Sequence, residues 1–261
     1  MTRTRTRTLL ALVGAAAAFG GAALALPKGA RTVAAPDVAT PRLVAATDKP
    51  VLIELFTSQG CSSCPPADKL AETLSRQPGL VVISRPVTYW DRLGWKDTLA
   101  SEKNTALQQD YARRGLAGNN GVYTPQLVVD GRFGAVGSQA DKVAAGIKRY
   151  GGKSDASIRL DKRKDAGFTA NLTGAGKEPA ELVLIAVTAR VDVVIGSGEN
   201  GGRKVTYANV LRAERKLADV RGGTGSVAFA PDQLKVRGAD RYALVLRKPD
   251  GGAVLAARWL S

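Results

Sequence analysis

No histidine occurs among the 261 residues, methionine occurs once and cysteine twice. Each scarcity closes off chemistry. Without imidazole the chain has no side chain whose ordinary pKa lies near neutrality to serve as base or metal ligand. A zinc site on two cysteines would need two more ligands, from carboxylates or another chain. Copper delivery would ordinarily add a histidine or a soft thioether, and Met1 is the only methionine. The reading is therefore no metal and no bound cofactor. Nor are two cysteines a disulfide framework, because a chain of this length, 44% hydrophobic, can bury a core without covalent help.

A concentrated basic patch is also missing. The net charge of +15 divides as +4 over residues 1–48 (six basic, two acidic), +4 over 49–152 (thirteen, nine) and +7 over 153–261 (nineteen, twelve). The densest run, "DKRKD", is bracketed by acids, whereas a nucleic-acid binder gathers Lys and Arg on one face with aromatics between them. Nucleic acid is not an expected partner. Peripheral association with an anionic cell envelope fits such a charge, as does an ordinary solvated face.

A long hydrophobic run occurs only at the start. Arg3, Arg5 and Arg7 precede an apolar span from Leu9 to about Leu26, with small residues at Ala23-Leu24-Ala25. That is the layout of a secretory signal peptide over 1–25, and the span also reaches the lower limit for an uncleaved N-terminal anchor. Either way the remainder faces an exported, oxidising space, periplasmic or extracellular. No adjacent twin-arginine pair is present, so the general secretory route is expected. Residues 26–48, rich in Ala, Pro and Thr without a sustained period, read as a linker.

From residue 49 the pattern is that of folded protein. "VLIELF" reads as a strand covered on both faces. Ala67, Leu70, Ala71 and Leu74 then recur at helical spacing. "LVVIS" reads as a second strand, "SEKNTALQQDYARRG" as a helix stopped at Gly115, "PQLVVDG" and "RFGAVGS" as further strands and "QADKVAAGIKRYGG" as a last helix. Beyond "GGKSD" the pattern is all-β. Apolar residues fill every second position from Val183 to Ile195, a strand long enough to predict a bend or bulge. "YALVLRKPDGGAVLAARWL" reads as a hairpin about Pro-Asp-Gly-Gly. The predicted fold class is α+β: a thioredoxin-like α/β domain over 49–152, then a β-sandwich-like domain over 153–261.

The two cysteines stand at Cys61 and Cys64, between the first strand and the first helix. Cys-X-X-Cys in that context is a redox motif, because unpaired N-H groups and partial positive charge at a helix N-terminus favour thiolate. Cys61, nearer solvent, is the expected attacking thiol, and Cys64 the resolving one. Thr124 and Pro125 open a strand-like run, and proline cannot donate in a central strand, which marks a special backbone position beside the pair. Tyr89 and Trp90, with Asp91 and Trp95, are candidates for the floor of a substrate groove or for core anchors. Glu54 is either a proton shuttle for Cys64 or a carboxylate paired with a nearby base. "GSGENGGR" lacks a phosphate-loop ending and reads as a flexible connection.

"ELFTSQGCSSCPPAD", "TYWDRLGWKD", "GVYTPQLVVDG" and "GENGGR" together resemble the DUF1223 family, exported bacterial proteins of unknown function with a thioredoxin-like N-terminal half. The resemblance spans roughly 49–261. It implies a fold and a redox pair but no substrate. In the family pattern the second strand usually runs His-Val-Asp-Tyr-Trp-Asp and a histidine pair follows Gly-Glu-Asn. Here Pro86-Val87-Thr88-Tyr89-Trp90-Asp91 and Thr206-Tyr207-Ala208-Asn209 stand instead. Thiolate activation would then rest on the helix terminus, helped by Lys69 or Arg85, and Pro65-Pro66 argues for a helix that begins after Cys64.

Two functions remain in view. The first is thiol-disulfide exchange on a protein or small-molecule disulfide or thiol. The second is a non-catalytic binding or scaffolding protein of the envelope with an inert disulfide. A purely structural staple over so short a loop restrains the unfolded chain by only about 2 kcal/mol.

Overall fold

Val51–Thr57 (β1) is buried along its whole length, and it lies deep in a large sheet for the reason its composition gives. An unbroken apolar run needs cover on both faces. The computed structural model describes residues 49–117 and 121–260. The expected signal peptide 1–25 and linker 26–48 lie outside the described residues.

After β1 come α1 (Pro65–Ser75), β2 (Leu80–Pro86), α2 (Glu102–Arg113), β3 (Gln126–Val129), β4 (Phe133–Val136) and α3 (Ala140–Tyr150). β5 (Ser157–Lys162), β6 (Phe168–Thr173), β7 (Ala180–Val194), β8 (Lys204–Val220), β9 (Gly225–Phe229), β10 (Arg241–Arg247) and β11 (Val254–Trp259) follow. The result is a mixed α/β structure with three α-helices among the described residues. α2 starts where Ser101 accepts a hydrogen bond from the Lys103 N-H and ends before Gly115, whose φ of 78° is the left-handed conformation glycine adopts at least cost.

Eight strands form one sheet in the order β11-β10-β7-β8-β2-β1-β3-β4. β1 runs parallel to β2 and antiparallel to β3. Strands from both sides of residue 152 therefore share one sheet, joined where β8 meets β2 in parallel. That joint is a single ladder pair, Ser84 with Val210. Side chains complete it: the Ser84 hydroxyl donates to the Ala208 carbonyl at 2.7 Å and the Asn209 amide to the Val82 carbonyl at 2.9 Å. Two polar side chains do here what backbone alone does elsewhere.

β5, β6 and β9 form a second, antiparallel sheet. Its Ile158, Ala170, Leu172 and Phe229 pack on Leu182, Leu184, Leu244 and Leu246 of the large sheet. The opposite face of β7 and β10, with Val183, Ile185 and Val245, packs with Leu52, Val81 and Ile83. The first half of β7 is thus covered on both sides, and the predicted alternation survives in the second half alone. The predicted irregularity is present as register shifts at Leu182/Val183 and Ala186/Val187.

Candidate functional site

Cys61 and Cys64 are joined in a disulfide with Cα atoms 5.4 Å apart. The turn that leaves β1 closes through the Cys61 N-H to the Ser58 carbonyl at 3.2 Å, and Cys64 caps α1. A proline at the first helical position costs nothing, because its φ suits the helix and its missing N-H has no helical partner. Pro65 and Pro66 together have a second effect. They remove two of the donors that a helix start ordinarily presents, and the N-H groups of Ala67 and Asp68 turn to the Cys64 carbonyl at 2.8 and 3.1 Å. The helix start therefore has less to offer a Cys61 thiolate than the motif alone suggests. The Ser63 hydroxyl, 3.3 Å from the Cys61 sulfur, offers a donor in its place.

The two cations expected to help are engaged elsewhere. Lys69 pairs with Glu72 at 2.7 Å. Arg85 lies buried between Glu54 and Glu214, 2.6 Å from each, and Tyr111 donates its hydroxyl to Glu54. Glu54 is thus the paired carboxylate of the two alternatives and no shuttle for Cys64. The network continues from Glu214 to Arg247 and on to Glu181. Burial pushes the Glu214 carboxyl up, but the Arg85 and Arg247 guanidiniums outweigh it and hold the group at about 2.

Thr124 and Pro125 stand beside the disulfide. Their peptide bond is cis, and the Ser63 hydroxyl lies 3.5 Å from the Thr124 carbonyl. Gly137 permits the approach, since a β-carbon there would fall 2.8 Å from Leu55 and 3.1 Å from Ala67. The Trp90 indole donates to the Thr124 hydroxyl at 2.8 Å, and Tyr89 donates to Gln108 at 3.1 Å. Both aromatics are half-buried and pack with Phe56 and Val87, so they brace the wall that carries Thr124. Trp95 donates to the Gln59 side chain at 2.8 Å. The six candidates Cys61, Cys64, Tyr89, Trp90, Thr124 and Pro125 thus come together in one region.

Solvent access differs from expectation. Cys61 is as buried as Cys64, both at 0% exposure, while Ser62 and Ser63 between them are exposed. The cover comes from "GSGENGGR", read above as a flexible connection. It is the tip of the β7–β8 hairpin, and Asn200, 1% exposed, donates from its amide to the carbonyls of Gln59 and Cys61 at 2.9 and 2.8 Å. Arg203 holds the other end of that amide at 3.1 Å. Glu199 accepts from the Ser62 N-H at 3.1 Å, and its bonds with Ser62 keep its carboxyl below the usual range. No redox or phosphate pattern flags Glu199 and Asn200. The available signal was the place of "GENGGR" among the four motifs of the resemblance.

This cover is polar and local. Asn200→Ala removes two hydrogen bonds to buried carbonyls, each worth roughly 1 kcal/mol net, so opening of the tip should become roughly 30-fold more favourable. The expected outcome is a disulfide reduced that much faster by dithiothreitol, with a fold loosened by about 1–3 kcal/mol. An unchanged reduction rate would mean that another path already reaches the sulfurs.

The family described as "Protein of unknown function (DUF1223)" matches residues 52–247. No match was found among curated proteins. Among solved structures, the crystal structure of protein AGR_C_4864 from Agrobacterium tumefaciens is 28% identical, with a TM-score of 0.68, over 82% of this chain and 96% of that one. HBP35 of Porphyromonas gingivalis shares the fold at a TM-score of 0.50 and 15% identity, over 83% of this chain and 76% of that one. The match to the family covers well over half of the sequence, including both cysteines and the hairpin tip that covers them, and the protein belongs to DUF1223.

Proposed function

We propose that the protein is an exported thiol-disulfide oxidoreductase that acts through Cys61 and Cys64 on a protein or small-molecule disulfide or thiol, with no cofactor. The observation that carries this reading is the disulfide at the β1–α1 junction with the Thr124–Pro125 segment alongside, sealed by hydrogen bonds from a hairpin tip. A polar seal can open without disrupting a core. Residues 49–152 support a thioredoxin-like reading through the order β1-α1-β2-α2-β3-β4-α3 and the strand neighbours β2-β1-β3-β4. That warrant is fold analogy. The small sheet packed on β7 and β10 supports a sandwich-like reading of 153–261. Export to the periplasm or cell exterior, by a cleaved signal or a retained anchor, rests on the Arg-studded apolar N-terminus. Among the described residues no helix is long and apolar enough to cross a membrane.

In the reaction, the Cys61 thiolate attacks a client disulfide, one client sulfur leaves as thiolate, and Cys64 then attacks Cys61 to release the second. The reverse sequence oxidises a client dithiol. With Cys64→Ser, the reduced protein mixed with oxidised glutathione is expected to accumulate a mixed disulfide on Cys61, read as a mass increase. Cys61→Ser should form none there. A reduction potential above roughly −300 mV is expected as well.

The zero exposure of both cysteines favours a second reading, an inert disulfide in a binding or scaffolding protein of the envelope. That reading predicts resistance to reduction and no glutathione adduct on Cys64→Ser.

A further inference from the structure

Beneath the disulfide lies an acid that no cation balances. Asp68 sits four residues after Cys64, on the same face of α1, and is 2% exposed. Its Oδ1 accepts from the Thr57 hydroxyl at 2.8 Å. Its Oδ2, equally shut off from solvent, has no hydrogen-bond partner among the described residues. The basic groups of this region go elsewhere: Lys69, Arg76 and Arg190 all pair with Glu72.

The groups that act on Asp68 from the packed elements are another acid and a phenol. Asp97, from the segment after β2, already accepts from the N-H groups of Gln59 and Leu99, both at 2.8 Å. Tyr207 of β8 is 1% exposed, and burial together with the charges of Asp68 and Asp97 raises its phenol. Asp97 is raised too, by burial first. A carboxylate shut in without a counter-ion is costly, so the neutral acid is favoured. Burial is the main cause, the Thr57 bond opposes it, Asp97 adds to it, and the group is pushed up to about 8.

A buried thiol must lose its proton before it can attack and must gain one when it leaves. The chain has no histidine to do this. We propose that Asp68 holds the proton exchanged with the Cys64 sulfur whenever the disulfide opens or closes. The proposal rests on the thiol-disulfide reading given above. In opening, a client thiolate attacks the Cys61 sulfur and the S-S bond breaks. Its electron pair passes to the Cys64 sulfur, which takes the proton from the Asp68 carboxyl and leaves a carboxylate. A second client thiolate attacks the client sulfur of the mixed disulfide and releases the Cys61 thiolate. The client is oxidised by two electrons and the protein reduced by two. In closing, the Asp68 carboxylate takes the Cys64 proton as that sulfur attacks Cys61. An acid near 8 suits a partner thiol of ordinary pKa about 8.5, because proton transfer is most effective between groups of similar pKa.

The test follows reduction of the intact protein by dithiothreitol, and reoxidation by oxidised glutathione, across pH. Asp68→Asn keeps the shape and removes the proton. It is expected to open roughly 100-fold more slowly below pH 8, and to lack the protein's own titration step in the pH profile. Thr57→Val keeps the acid but removes the bond that lowers it, so the step should move to higher pH and not vanish. Superimposable profiles for the wild type and Asp68→Asn overturn the proposal, as does an unmoved step in Thr57→Val. A wild type that exchanges with neither reagent overturns the oxidoreductase reading itself. Exchange by the wild type together with an unaltered Asp68→Asn removes the role of Asp68 alone.

Discussion

Replacing Arg85 by methionine is expected to destabilise the fold by about 3–5 kcal/mol. The guanidinium is 1% exposed and is the only cation that pairs with Glu54, itself 1% exposed, among the described residues. Its bonds also reach Glu214 and Asn104. Without it, Glu54 keeps only the Tyr111 hydroxyl, and a charge that was paired becomes an uncompensated one in a low dielectric. The loss reaches beyond one pair. Glu54, Arg85, Glu214, Arg247 and Glu181 lie on β1, β2, β8, β10 and β7, five neighbouring strands, so one network ties together strands from both sides of residue 152. Urea unfolding should show a lower midpoint at unchanged slope. Glu54→Gln made in the Arg85→Met background should cost far less than Glu54→Gln in the wild type, since the partner is already gone. A single-variant loss under about 1 kcal/mol would mean that Glu54 takes up a proton when unpaired.

Local structure was legible wherever one element decides its own pattern. β1 and β2 announced themselves as apolar runs, α1 by its four-residue stripe, α2 by its serine start and glycine stop, and the β10–β11 hairpin by its turn chemistry. The cysteines and Thr124–Pro125 were found because their roles depend on spacing and on what precedes a strand. Long-range pairings were not legible. Nothing local says that β8 will meet β2 through Ser84 and Asn209, because polar side chains bonded to backbone leave no periodic trace. The burial of Cys61 follows from that unseen joint. Once β8 lies beside β2, the β7–β8 tip reaches the β1–α1 turn, and an asparagine in a glycine-rich segment becomes a lid. Glu54 and Asp68 make the same point for chemistry. Both are single acids in apolar or helical surroundings, and only the neighbours supplied by distant strands distinguish a paired carboxylate from an unpaired one.

Asp68 carries the second large effect, on the pH dependence of stability. Its folded-state pKa is raised from 3.8 to about 8. Between about pH 4 and pH 8 the unfolded chain has lost this proton while the folded protein keeps it, so the folded state binds more protons. The contribution of Asp68 is therefore complete below about pH 4 and is lost as pH rises, at up to about 1.4 kcal/mol per pH unit, until the folded group ionises near pH 8. Asp130, pushed up to about 6 by burial, adds a shorter slope of the same sign in every variant and cancels in a comparison. Asp68→Asn, kept in the disulfide form, should thus lose much less stability than the wild type over this interval. The two curves should diverge by a few kcal/mol by pH 8, whatever constant offset the amide introduces by leaving its own N-H groups unpaired. Urea midpoints measured at each pH unit test this directly. Parallel curves would mean that Asp68 is ionised in the folded protein well below neutrality, and the proton assigned to the Cys64 sulfur would have to come from water or from another group.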